Sequence, residues 1–249
     1  MLNMLRQSGN QLRRSVLSVA LLGLAVSVAN AAPLCVGSGV GAQLDSYMAN
    51  YNSFGNACQV GNLLFWGFNL ADGPSAVGAE ATPDQISITP LTGGLYGLSF
   101  TSGWLISNAL PIDQIISYNV ATLTGQALIK DATLTIVGTL AGSGASGSVV
   151  ETLSPAVPGS PISASLPSTL SVNIDFTGNE VSGLAVSNRL LLVGGPGNSD
   201  SAHISIIENN FSQLLATPEP MTIMTLGAGL LLIGMARRNR GASAKGTRQ

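Results

Sequence analysis

From about residue 60 to residue 215 the chain repeats one arrangement: a run in which apolar and polar side chains alternate, then a short stretch of Gly, Pro, Ser, Asn or Asp. In Thr133-Leu134-Thr135-Ile136-Val137-Gly138-Thr139-Leu140, the residues Leu134, Ile136 and Leu140 fall on one side and Thr133, Thr135 and Thr139 on the other. Leu170, Val172, Ile174 and Phe176 alternate in the same way with Thr169, Ser171, Asn173 and Asp175. A period of two is strand geometry, because successive side chains of an extended chain point to opposite faces. The same reading predicts strands at residues 63–70, 85–89, 95–101, 116–123, 147–153, 181–193 and 202–208. The breaks between them, such as Ala71-Asp72-Gly73-Pro74, Thr92-Gly93-Gly94, Gly142-Ser143-Gly144-Ala145, residues 154–161 and Gly194-Gly195-Pro196-Gly197-Asn198, are turn and loop chemistry. One helix is expected, over residues 43–51. Strands with one apolar and one polar face imply an all-β body, an antiparallel β-sandwich or jelly roll with its polar faces in water.

The two ends break this alternation. At the N-terminus Arg6, Arg13 and Arg14 precede an apolar core at residues 16–28 and the small-residue site Ala29-Asn30-Ala31. That order is a secretory signal peptide over residues 1–31, with a signal helix cleaved after Ala31 or Ala32. At the other end Pro218-Glu219-Pro220 leads into an apolar run at residues 221–236, followed by Arg237-Arg238-Asn239-Arg240. Two prolines around a glutamate hold the chain extended and exposed. Thr222 and Thr225 are the only polar side chains of the run, and its Gly227, Gly229 and Gly234 suit a helix in lipid better than one in water. At ~1.5 Å per residue the run reaches roughly 24 Å, short of a ~30 Å hydrocarbon core, and Leu214-Leu215-Ala216 adds apolar character upstream. Arg237, Arg238 and Arg240 act as a stop-transfer cluster that keeps their side in the cytoplasm.

A short Pro-Glu-Pro motif, a marginal transmembrane helix and a basic end resemble the PEP-CTERM sorting signal of bacterial exosortase substrates; the match covers residues 217–240. The resemblance implies export, transient anchoring in the inner membrane through the C-terminal transmembrane helix, and cleavage near Pro218, Glu219 and Pro220 by an exosortase-type membrane transpeptidase. The destination it implies is the cell surface or the extracellular matrix, with exopolysaccharide as a partner. The organisation is therefore a signal peptide at 1–31, an exported β-rich domain at 32–216, a sorting signal at 217–240 and a basic cytoplasmic tail at 241–249.

Removing the ends changes the charge. The body keeps eleven acids (Asp45, Asp72, Glu80, Asp84, Asp113, Asp131, Glu151, Asp175, Glu180, Asp200 and Glu208) against Lys130 and Arg189, a net of −9, whereas the whole chain carries −2. One lysine and one arginine build no basic patch, which excludes nucleic-acid binding and disfavours adhesion to anionic lipid. Cys35 and Cys58 are the only cysteines, and an even count in an exported chain predicts a Cys35–Cys58 disulfide. Residues 35–68 are also similar to the N-terminal part of many exosortase-sorted proteins, where a cysteine pair bounds a short helical segment before the first aromatic strand.

Candidate chemistry is thin. His203 is the only histidine, and although Asp200 and many serines lie near it in sequence, there is no Gly-x-Ser-x-Gly elbow. The alternation sets it opposite Ile204 and Ile206, facing solvent. Asp175 and Glu180 could pair as glycosidase carboxylates, but they bracket Thr177-Gly178-Asn179 and read as charges at a hairpin end. No Asp-rich calcium array is present, so no catalytic, cofactor or metal residue is assigned and the chain is read as a non-enzyme. Two function classes stay open. One is a non-catalytic envelope or matrix protein sorted by an exosortase and associated with exopolysaccharide or biofilm. The other is a carbohydrate-binding or hydrolytic β-sandwich on a plain anchor, with Trp66, Trp104 and Tyr118 lining a sugar site. Exposure of those rings discriminates: buried rings favour the first, a coplanar exposed row the second.

Overall fold

The computed structural model describes residues 32–37, 42–77, 80–93, 95–107, 110–123, 127–196 and 200–215. The signal segment, the sorting motif, the apolar run and the arginine cluster lie outside them. Among the described residues no helix is long and apolar enough to cross a membrane.

The alternation folds as its period predicts. Among the described residues eleven strands form: β1 Cys58–Val60, β2 Leu63–Asp72, β3 Ser87–Leu91, β4 Tyr96–Ile106, β5 Ile112–Thr122, β6 Ala127–Ala141, β7 Ser146–Ser154, β8 Ile162–Leu166, β9 Ser171–Asp175, β10 Gly183–Val193 and β11 Ser201–Leu215. They pair antiparallel in two sheets, β1-β2-β5-β10-β7-β8 and β3-β4-β11-β6-β9, and the chain passes repeatedly from one to the other. The body is an antiparallel β-sandwich. Inward residues of the two sheets, among them Phe65, Ile116, Val149 and Leu190 from one and Phe100, Leu134, Ile207 and Phe211 from the other, make a single apolar core. Each large apolar side chain buried there contributes roughly 1.5–3 kcal/mol.

The helix expected at residues 43–51 is α1, Leu44–Asn50, docked by Leu44 and Tyr47, both fully buried. Tyr47 meets Tyr51 and Phe68 edge-on at ring-centroid distances of 5.0 and 4.9 Å, so the helix plugs one end of the core.

Several expectations are corrected. Ala71 and Asp72 close β2 rather than opening a turn, because they pair with Ile115 and Gln114. Residues 83–85 form a 3-10 turn before β3, closed by a capping box between Thr82 and Gln85. The short edge strands β1 and β8 were not anticipated. Leu170, expected inward, is 44% exposed just before the edge strand β9. β11 runs on to Leu215, so Leu214 and Leu215 pair with Leu128 and Ala127 of β6 and belong to the sandwich, not to the apolar run after it. A bulge between Ile204 and Ile206 shifts the phase of β11. Ile204 is buried and Ile206 half-exposed, and beyond the bulge Ile207, Asn209 and Phe211 point inward.

Candidate functional site

The predicted disulfide is formed: Cys35 and Cys58 are bonded at 2.07 Å across 23 positions. It pins the first described segment to β1, where Gln59 N donates to Pro33 O at 2.7 Å and Cys35 N to Gln59 O at 3.1 Å. Tyr47 Oη donates to Val36 O at 2.6 Å, so α1 closes over the same segment. Pro218, Glu219, Pro220, Arg237, Arg238 and Arg240 lie outside the described residues, and the last described position, Leu215, stands three residues before Pro218.

The three candidate aromatics do not form a row. Trp104 is 1% exposed and donates its indole N–H to Gln114 Oε1 at 2.7 Å; Tyr118 is 2% exposed and donates to Asn209 Oδ1 at 3.1 Å. Only Trp66 reaches the surface. It is half-buried and packs edge-on against Phe54, with centroids 5.0 Å apart. His203 sits half-exposed on β11 between Leu105 and Thr139. The Asp200 carboxylate occupies the space where side chains at Gly142, Gly144 and Gly195 would stand, so it packs into the glycine turns at that end of the sandwich. Asp175 and Glu180 do cap their turn: Thr177 N donates to Asp175 Oδ1 at 2.8 Å and Gly178 N to Glu180 Oε1 at 2.9 Å. The Thr177 hydroxyl, which also donates to Asp175 Oδ1, and then the Thr177 N–H lower Asp175, and the Gly178 N–H lowers Glu180.

The sequence reading missed two polar clusters. The first crosses the core. Glu151 of β7, Asn188 of β10 and Asn209 of β11 are fully buried. Asn188 Nδ2 donates to Asn209 Oδ1 at 2.7 Å, and Asn209 Nδ2 donates to Asn188 Oδ1 at 3.1 Å and to Glu151 Oε2. Among the described residues Glu151 Oε1 has no hydrogen-bond partner. Burial therefore raises the Glu151 carboxyl to about 8, against the smaller lowering by Asn209, and so favours its protonated form. The signal in the sequence was a glutamate in phase with Val149 and Leu153.

The second cluster latches the connection between β2 and β3. Arg189 Nε and a terminal guanidinium nitrogen donate to the two oxygens of Asp113 at 2.8 and 2.6 Å, and Ser75 N donates to Asp113 at 2.9 Å. These donors, Arg189 foremost, lower Asp113. Asp113 N in turn donates to Glu80 Oε1 at 3.1 Å. Burial first, and a hydrogen bond to Asp72 second, raise Glu80 to about 7. Gln114 Nε2 donates to Ala81 O at 2.6 Å, and a cleft of about 430 Å³ lined by Glu80, Gln85, Ser102 and Trp104 opens beside it.

A second depression, about 230 Å³, lies on the outer face of the six-stranded sheet and is lined by Gly67, Ser117, Asn119, Thr152, Ser154, Ala185 and Ser187. No charged residue lines it. The bulge in β2 shapes its rim: Gly67 has φ +68°, and a Cβ there would come within 2.5 Å of Asn119 Nδ2, so the left-handed backbone and the closeness of the amide both favour glycine.

No family model matches the chain, and no curated protein matches it. Among solved structures it is similar to the carbohydrate-binding module TmCBM61 in complex with beta-1,4-galactotriose, at 10% identity and a TM-score of 0.31, over 59% of this chain and 88% of that one.

Proposed function

We propose that this protein is an exported, non-catalytic β-sandwich of the cell envelope or extracellular matrix, delivered through a PEP-CTERM-type signal, cut by an exosortase-type transpeptidase and associated with polysaccharide. The observation that carries this reading is the order of parts after β11: Pro218-Glu219-Pro220 follows Leu215 within three residues, then come the apolar run and the arginines. The Cys35–Cys58 bond supports the exported half of it, since such bonds persist in oxidising compartments. The burial of Trp104 and Tyr118 favours the non-catalytic reading over a sugar platform built on the three aromatics.

Intact-mass analysis of protein recovered from the cell surface or medium tests it. The expected species starts near Ala32 and ends close to Pro218. Retention of residues 221–249 on the mature protein rejects sorting and leaves a permanent anchor.

The uncharged depression on the sheet that carries Trp66 suits carbohydrate, which also fits a second reading, a carbohydrate-binding or hydrolytic sandwich on a plain anchor. The same mass measurement separates the two.

A further inference from the structure

We propose that the uncharged depression on the outer face of the six-stranded sheet binds a neutral polysaccharide, which lies across β2, β5, β10 and β7 with Trp66 at one end. The proposal rests on the reading above that the body meets polysaccharide, and it names where and which kind.

Register builds the site. Ser187 pairs with Ser117 on one side and Thr152 on the other, so three hydroxyls stand in a row across three strands. Two residues along, Ala185 pairs with Asn119 and with Ser154, and Asn119 pairs with Trp66. Residues paired across strands share a face, so this second row reads Trp66, Asn119, Ala185, Ser154, all outward. Four strands at ~4.8 Å spacing give a track about 14 Å long, room for a short run of sugar rings. Ala185 is exposed and carries only a methyl, which makes the dip between an amide and a hydroxyl.

The lining selects the ligand class. Hydroxyl and amide groups both donate and accept, and they match the mixed donors and acceptors of a polyol. Among the described residues, no other side chain engages the hydroxyls of Ser117, Thr152, Ser154 and Ser187, so each is available to a ligand. Half-buried Trp66, packed edge-on against Phe54, stands next to Asn119 at the β2 end of the second row, just beyond the lining of the depression. A body of net charge −9 repels polyanions, and a track without acids gives a cation no partner. A peptide strand would need an open sheet edge or apolar pockets, and this is the middle of a sheet lined by small polar side chains.

The test uses the full chain in a detergent without a sugar headgroup, titrated by calorimetry with dextran, galactan, mannan and xylan, and with alginate as the anionic control. Binding to at least one neutral polymer and not to alginate is expected. Ala185→Arg, an exposed substitution that fills the dip, should weaken that binding at least tenfold while leaving the thermal midpoint unchanged. Ser187→Ala should weaken it severalfold. Binding that Ala185→Arg does not alter overturns this site while keeping polysaccharide as a partner. No binding to any neutral polymer, or preference for alginate, overturns both. If Ala185→Arg lowers the thermal midpoint, Ser187→Ala alone decides, and unchanged affinity in that variant overturns the site. None of these results depends on whether the chain is cut at Pro218-Glu219-Pro220.

Discussion

Replacing Glu151 with Gln should make the protein more stable at alkaline pH and flatten its pH dependence. Glu151 is fully buried between the sheets, with one oxygen on Asn209 and the other without a partner among the described residues, and burial lifts its carboxyl from the ordinary 4.5 to about 8. A carboxyl raised on folding binds more protons in the native than in the unfolded state between those two values. Its contribution is fully present below pH 4.5 and is lost as pH rises through about 8. With 1.36 kcal/mol per pKa unit, the whole span amounts to about 5 kcal/mol, of which about 4 kcal/mol falls between pH 5 and pH 9. That is a large share of the ~5–15 kcal/mol by which domains are stable. Glutamine keeps the shape and the acceptor for Asn209, and cannot ionise. Urea unfolding curves at pH 5, 7 and 9, followed by tryptophan fluorescence with the disulfide intact, measure the effect. Wild type and Glu151→Gln should lie close together at pH 5. By pH 9 the variant should be ahead by about 4 kcal/mol, a shift of roughly 2 M in urea midpoint at a slope of ~2 kcal/mol/M. Taking the difference between the two proteins removes the titration of Glu80, which is common to both. Parallel curves across this range would refute the argument, because they would mean that Glu151 is already ionised in the fold or as solvated there as in the unfolded chain.

Two other perturbations follow from the same structure. Replacing Cys35 and Cys58 together with Ser reopens the 23-position loop, and the urea midpoint should fall by an amount equivalent to about 3 kcal/mol; an unchanged midpoint would show that the segment before β1 is held by its hydrogen bonds alone. Trp104→Phe leaves Gln114 Oε1 without its donor in the core and should cost about 1–3 kcal/mol in the same assay, more than a matched exposed change such as Phe54→Leu, and a cost equal to that control would count against the buried bond.

Strand existence was legible because each outer face is in water, which imposes the period of two directly on Thr133–Leu140 and on the β10 segment. Boundaries were less legible where pairing, not patterning, decides them. Ala71 and Asp72 look like a turn before Gly73 but gain partners on β5. β8 is five residues between Pro161 and Pro167 and reads as loop until β7 supplies its partner. The bulge at Ile204–Ile206 leaves no mark in composition, yet it alone turns Asn209 inward to meet Glu151. The disulfide was legible because two cysteines allow one pairing. The polysaccharide track was not, because it takes one or two small polar residues from each of three strands, and Ser117, Thr152 and Ser187 become neighbours only through register.

The acidic body also distributes its carboxyls in a way that fixes where the fold is strongest. Glu80 and Glu151 are both raised, chiefly by burial, so their contributions are complete in acid and fade as pH rises through about 7 and about 8. Asp113 runs the other way. Held low first by its bonds with Arg189, it stabilises above the ordinary carboxylate range and is lost as pH falls through its depressed value. The opposing limbs meet in the ordinary carboxylate range, where these three groups together contribute most: above 3.8 for Asp113 and below 4.5 for the two glutamates. Arg189 is one of only two cations in a body with eleven acids, and placing it on Asp113 ties the latch over the β2–β3 connection to an ion pair whose carboxyl is held below its ordinary value. Glu80, a member of that same latch, weakens it from the alkaline end, because burial and the neighbouring charges of Asp72 and Asp113 oppose its ionised form.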